Sequence, residues 1–240
     1  MMKTMKSPKA VLFDVDGTLY AQAPVRLLMA AELAAATCSP ERPNPGVRAV
    51  RTLVLFRRIH EELRGLEPST ESLERLQFTE AARRAGESPA FVRRTVEDWM
   101  FQRPLKYLRL ARRRRVIELA VALAQAGFKL GVLSDYPVAE KLAALQLTDI
   151  LPLQLCTTDP EINALKPHPR GFLVACQRWN LAPADVAYVG DRIDVDAMGA
   201  WAAGMRCFLI TPHVPRVTRK DRHHASGSLD ELDGLCCTPA

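Results

Sequence analysis

Apolar residues recur along this chain in two rhythms. Short runs rich in aliphatic and β-branched residues occur at 10–13, 128–133, 153–157, 186–189 and 205–210, and these predict β-strands. Between the last four runs, residues 138–147, 170–180 and 195–203 carry apolar positions at helical spacing. Gly127 and Gly204 fall just past helical segments, where a left-handed helix end favours glycine. Strand, helix and strand in this alternation predict a parallel sheet with helices on its faces. The first and second strands are separated by more than a hundred residues. That interval holds four helical segments, 24–36, 47–64, 69–85 and 89–101, and no convincing strand. Gly86 closes one of them, and Ser88 with Pro89 forms an N-cap and first-turn pair for the next. Pro104 interrupts the pattern, and one further helix over 105–126 leads back to the sheet. The segment after 211, rich in Pro, Arg, His and Ser, reads as loop with a short helix at 228–235. There are no internal repeats. The pattern therefore predicts an α/β core, with a parallel sheet, interrupted by an all-helical insertion.

Composition agrees. The 240 residues are 48% hydrophobic and 25% charged, which suits one large globular domain or a core with a modest second domain. No apolar run approaches the roughly 18 residues of a membrane span. The basic stretch 1–9 leads into only four apolar residues before Asp14, too few for the heart of a secretion signal, so a cytoplasmic protein is expected. The six cysteines, Cys38, Cys156, Cys176, Cys207, Cys236 and Cys237, show no metal-binding spacing and read as free thiols. Cys156, Cys176 and Cys207 sit in apolar runs and are expected in the core, while Cys236 and Cys237 are expected to be exposed.

Charge adds a second division. Residues 41–115 hold 17 arginines and one lysine against ten acids, a balance of +8, whereas the whole chain carries only +6. A basic insertion in a slightly acidic remainder points to two parts with different work. The run Arg112–Arg115 resembles a nucleic-acid patch, but four consecutive helical residues point all round the helix. A solvated face is the better reading, and nucleic acid is not an expected partner.

In open parallel α/β sheets, ligands bind beyond the carboxyl ends of the strands. Those positions hold Asp14 and Asp16 after the first strand, Ser134 after the second, and Asp191 after the fourth, with Lys166 in the loop following the third. Acids gathered on apolar strand ends require a counter-charge. Lys166 and a hard divalent cation would supply it, and a carboxylate-rich site that also engages phosphate suits Mg²⁺.

These residues stand in recognisable motifs. The stretch Phe13-Asp14-Val15-Asp16-Gly17-Thr18-Leu19 resembles the DxDGT signature of the haloacid dehalogenase superfamily. Val132-Leu133-Ser134 resembles its second motif, Leu165-Lys166-Pro167 its third, and Gly190-Asp191 with Asp194 and Asp196 its acidic fourth. All four occur in the family's order and span residues 10–210. The resemblance implies a Rossmann-like three-layer core, residues 1–20 and 116–240, and an inserted helical C1-type cap, residues 21–115. Only the interval between the first and second motifs has room for such a cap.

What the resemblance implies chemically is a Mg²⁺-dependent phosphatase acting on a small phosphorylated metabolite, similar to phosphoglycolate phosphatases. Asp14 would be the nucleophile that forms an aspartyl-phosphate, and Asp16 would protonate the leaving group and then activate water. Ser134 and Lys166 would hold the phosphoryl group, with Asp135, Gly17 and Thr18 beside the substrate. The metal would take Asp14, the backbone carbonyl of Asp16, Asp191 and a supporting acid. The motif's spacing points to Asp196 for that role, with Asp194 as the alternative. Asp135 stands where relatives often have Asn; it would either alter substrate choice or cap the following helix. Asp16 itself favours phosphate esters, since dehalogenases resemble the motif but lack this acid. Two alternatives stand beside this reading: a phosphoryl-transferring mutase on a sugar phosphate, and a non-catalytic binding protein with a basic cap. A monomer or homodimer is expected, with no membrane partner.

Overall fold

The computed structural model describes residues 7–38, 44–67, 70–210 and 226–227. The segment 228–235 and the cysteines Cys236 and Cys237 lie outside them. The chain forms two compact units, Met1–Tyr20 with Arg112–Ala240, and Ala21–Ala111.

Strand β1 (Ala10–Phe13) opens the first unit. The second unit follows as α1 (Gln22–Thr37), α2 (Pro45–Leu63), α3 (Leu73–Ala85), α4 (Pro89–Val96) and the short α5 (Leu105–Leu108). The first unit resumes with α6 (Arg114–Gln125), β2 (Lys129–Ser134), α7 (Ala139–Leu145), β3 (Leu153–Cys156), α8 (Arg170–Trp179), β4 (Val186–Gly190), α9 (Met198–Ala202), β5 (Arg206–Leu209) and the two-residue β6 (Ser226–Gly227). The strands form one parallel sheet in the order β3-β2-β1-β4-β5-β6. Strand β1 is central: Phe13 is paired with Val132 on one side and Val189 on the other.

Burial on both faces explains the near-continuous apolar runs of these strands. Ala10, Leu12, Val186, Tyr188, Cys207 and Leu209 belong to one core cluster with Phe172, Ala175 and Trp179 of α8. The alternate residues Val11, Phe13, Ala187 and Val189 point to the opposite face and are also fully buried. The parallel arrangement aligns the carboxyl ends of β3, β2, β1 and β4 along one edge, so residues far apart in sequence become neighbours there.

The second unit is all helical among its described residues. Its core joins Leu53, Phe56, Ile59 and Leu63 of α2 to Phe78, Ala81 and Ala82 of α3 and Val92 and Val96 of α4. Phe56 and Phe78 rings lie 4.9 Å apart. The Ser88 side chain caps α4 by accepting from Phe91 N at 3.2 Å, and Gly86 ends α3 in the left-handed region. The last predicted segment of the unit ends in a π-helical stretch, Glu97–Gln102. Helix α1 buries only Val25, so its alanine-rich sequence is helical by propensity more than by packing.

Two expectations about these elements are corrected. A continuous helix over 105–126 is broken into α5 and α6, because the chain between them pairs with the segment that follows β1. Tyr20 bridges Arg112, and Arg113 N donates to Leu19 O at 3.0 Å. As a result Arg112–Arg115 belong with the first unit. Trp179 is buried at 8% exposure, since Gly131 lacks a Cβ that would approach the Trp179 ring to 3.1 Å. Trp99 and Trp201 are half-buried. Cys156, Cys176 and Cys207 are buried free thiols, and Cys38 is an exposed one. No described helix is long and apolar enough to cross a membrane.

Candidate active site

Asp14 follows β1 directly, and its backbone N donates to Val189 O at 2.8 Å, which continues the pairing with β4 past the strand. The chain then turns: Thr18 N and Leu19 N both donate to Val15 O. Gly17 makes that turn possible with φ +105°, and it also clears a path for Asp191. A Cβ on Gly17 would stand 2.1 Å from Asp191 Oδ2. Gly190 serves in the same way on β4, where a Cβ would meet that of Asp196 at 2.5 Å.

Lys166 is the centre of the cluster. Its Nζ donates to Asp14 Oδ1 at 2.7 Å, to Asp196 Oδ1 at 2.7 Å and to Tyr188 Oη at 3.1 Å, and it is only 3% exposed. Asp196 Oδ1 also accepts from Tyr188 Oη at 3.2 Å, while Oδ2 accepts from Asp191 N at 3.1 Å and Arg192 N at 3.0 Å. Asp196 therefore ties the lysine to the backbone that carries Asp191. Asp194, the other candidate for the supporting position, is exposed and pairs with Arg192 at 2.6 Å.

Oxygens of Asp14, Asp191 and Asp196 lie within 4.8 Å of one another. Such crowding is visible in their protonation. Burial pushes the Asp14 carboxyl up against the pull of Lys166, with Asp196, Asp16 and Asp191 adding to the rise. Burial, then the charge of Asp196, raises Asp191 to about 6. The Lys166 ammonium, although desolvated, is held charged by Asp14 and Asp196, well above the ordinary lysine range. Asp14 Oδ2 is buried with no hydrogen-bond partner among the described residues, as is Thr18 Oγ1. A hard cation fits this donor set: three carboxylates face one small space, and one of their buried oxygens is unsatisfied.

Asp16 points elsewhere. Its Oδ2 takes Lys141 Nζ at 2.5 Å and Ser134 Oγ at 3.5 Å, and its Oδ1 accepts from the Tyr20 hydroxyl. Burial acts to raise its carboxyl, but Lys141 and Tyr20 outweigh burial and hold it below the usual carboxylate range. Its side chain lies outside the three-acid cluster. Ser134 ends β2 and accepts from Tyr136 N at 3.3 Å. Asp135 neither caps α7, which has no side-chain cap, nor hangs free. Its Oδ1 accepts from Thr157 Oγ1 at 3.0 Å and Lys166 N at 3.2 Å, fastening the lysine's loop to β2. Arg113 Nε donates to Gly17 O at 2.8 Å and braces the turn.

The structure thus gathers Asp14, Asp16, Gly17, Thr18, Ser134, Asp135, Lys166, Asp191 and Asp196 at one sheet edge, and leaves Asp194 outside. It also adds Lys141, Tyr20 and Tyr188, none of which lies in a motif. Lys141 left one signal: Val138, Lys141, Leu142 and Leu145 form a buried helical stripe, and lysine is the odd residue on it.

Residues 8–204 match the family described as haloacid dehalogenase-like hydrolase. The chain belongs to that family. As a member of the haloacid dehalogenase-like hydrolases it is 30% identical, over 82% of its length and 81% of the relative's, to a glyceraldehyde 3-phosphate phosphatase of Methanopyrus kandleri. It is likewise 30% identical to a phosphoglycolate phosphatase of Xanthomonas campestris, over 84% of this chain and 82% of that one. Among solved structures, a 2-haloacid dehalogenase from Pseudomonas syringae superposes with a TM-score of 0.61 at 23% identity, covering 95% of this chain and 97% of the other. That last likeness is one of fold. The fold of this chain is therefore that of the family.

Proposed function

We propose that the chain is a divalent-metal-dependent phosphatase that hydrolyses a small phosphomonoester through a phosphorylated Asp14. The observation that carries this reading is the pairing at Asp14: one buried oxygen is held by Lys166 and the other has no partner among the described residues. An oxygen so placed is available for attack on phosphorus, and the adjoining ammonium offsets repulsion between carboxylate and phosphate. Asp14 and Asp191 would hold the metal, with Asp196 as the anchor behind them, since both Asp196 oxygens already accept hydrogen bonds. A bound Mg²⁺ would act as a Lewis acid that stabilises charge on the phosphoryl oxygens.

Asp16 takes up a proton as the phosphate dianion binds beside it; in the first step an Asp14 oxygen bonds to phosphorus and the ester P–O bond breaks, with Asp16 passing that proton to the leaving oxygen. In the second step Asp16 takes a proton from water, whose oxygen attacks phosphorus, releasing phosphate and restoring Asp14. Two easier steps replace one difficult one. Ser134 and Lys166 orient the transferred group by hydrogen bonding. Residues Ala21–Ala111 would serve as a cap that excludes water and contributes substrate contacts.

The relatives named as glyceraldehyde 3-phosphate and phosphoglycolate phosphatases support small phosphorylated metabolites as the substrate class. A panel of such esters, including those two compounds, with Mg²⁺ or with chelator, tests the reading. Phosphate release from at least one ester, lost in chelator and regained with Mg²⁺, is expected. Release undiminished in chelator overturns the metal dependence, and no release from any ester overturns the phosphatase.

A further inference from the structure

Lys141 lies outside every motif, yet it is 7% exposed and makes an ion pair with Asp16 at 2.5 Å. A lysine so desolvated is costly to leave unpaired, so its position depends on that carboxylate. The hydrogen bonds around Asp16 are unequal. Oδ2 faces Lys141 on α7 and Ser134 on β2, and Oδ1 faces Tyr20. A carboxylate on a single Cα–Cβ stem can rotate about χ1 and χ2, and a rotation of either angle would carry it away from the space next to Ser134. Tyr20 alone grips one oxygen and leaves the plane of the group free to swing. Lys141, approaching from a different element, removes that freedom.

Resting on the phosphatase reading above, we propose that Lys141 is the positioning residue for Asp16, fixing its carboxylate on the Ser134 side where the leaving oxygen and later the water must pass. The role differs from that of Lys166, which holds the nucleophile. Two lysines from two elements thus divide the site: one serves the acid that bonds to phosphorus, the other the acid that moves the proton.

The distinction can be read from leaving groups. An alkyl phosphate needs its leaving oxygen protonated, whereas p-nitrophenyl phosphate expels a stable phenolate and needs little help. Lys141→Met should therefore lower kcat/KM far more for an alkyl ester accepted by the wild type than for p-nitrophenyl phosphate, raising the aryl-to-alkyl ratio at least about tenfold. With the aryl ester, the variant should also release a burst of nitrophenol as the phosphorylated enzyme accumulates. Lys141→Arg, which keeps the charge, should return the ratio most of the way to wild type. An equal fall for both esters, or no change in the ratio, overturns the assignment. Should Lys141→Met fail to fold by circular dichroism, Lys141→Gln carries the same comparison, and failure of both to fold makes Lys141 a structural ion pair and also overturns it. A wild type that hydrolyses neither ester refutes the phosphatase reading itself, and this inference with it. An active wild type with an unmoved ratio refutes only the role of Lys141.

Discussion

In the core, Lys166 lies 2.7 Å from both Asp14 and Asp196, and all three side chains are at most 6% exposed. In the inserted helices, Glu80 takes Arg83 and Arg84, each at 2.6 Å, but the arginines are 70% and 32% exposed. The two clusters have the same chemistry and similar distances. Water separates their consequences. In the low-dielectric core, desolvation raises Asp14 and Asp191 and makes each missing partner costly. On the helical unit, hydrogen bonds from Arg83 and Arg84 lower Glu80 to about 2, yet salt and solvent screen what the pairs contribute to stability. Solvent and salt likewise screen the pairs of Arg58 with Glu62, of Arg93 with Glu74 and Glu97, and of Arg48 with Glu87. Much of the insertion's positive charge is thus spent on neighbouring glutamates of its own unit.

Substitutions should break this comparison unevenly. The largest expected effect is on Asp14. Asp14→Asn keeps the shape but removes the attacking oxygen, so phosphate release should fall roughly 10³-fold or more with a near-native circular dichroism spectrum. A rate within about tenfold of wild type would remove Asp14 from the role of nucleophile.

Next comes Lys166. Replacing it by Met leaves two buried carboxylates facing each other without a counter-charge. Urea unfolding of the metal-free protein should show a loss of about 3–5 kcal/mol, beyond the loss of activity. A stability equal to wild type would mean that the acids simply take up protons at no cost.

Metal and pH sharpen the same contrast. Asp191 rises from 3.8 to about 6 on folding, so the folded chain binds the extra proton. Its contribution is fully present below pH 3.8 and is lost as pH rises through about 6. Without metal, the unfolding temperature of wild type should therefore fall, relative to Asp191→Asn, as pH goes from about 4 to about 7. Mg²⁺ should raise the wild-type value and flatten that difference, because a ligand that binds only the folded state stabilises it. Parallel profiles for the two proteins in chelator would contradict the assignment.

The smallest effect is expected at Glu80. Its depressed carboxyl stabilises above its ordinary value of 4.5 and loses that contribution only as pH falls towards about 2. At neutral pH, Glu80→Gln should give an unfolding temperature hard to distinguish from wild type, and added salt should shrink any difference. A large, salt-insensitive drop would show that the network is structural after all.

The amino-acid sequence by itself determined the strands, most helices and the motif-bearing acids, because these depend on short-range physics. Continuous apolar runs mark strands buried on both faces, Ser88 and Gly86 punctuate helices locally, and Asp14, Ser134 and Asp191 follow their strands whatever else the chain does. The same proximity rule put Lys166 beside them once a parallel sheet was granted. Tertiary structure alone decided the rest. Arg112 left its helix because Tyr20 offered a pairing partner 92 positions earlier. Trp179 entered the core because Gly131 on a neighbouring strand made room for its ring. Tyr188 reads as one more apolar strand residue until its hydroxyl meets Lys166, and Lys141 as a solvated helix lysine until α7 turns it towards Asp16. A long polar side chain can lie in water or be buried at similar local cost. The choice is made by the surface it meets, and that surface is assembled only when distant segments pack together.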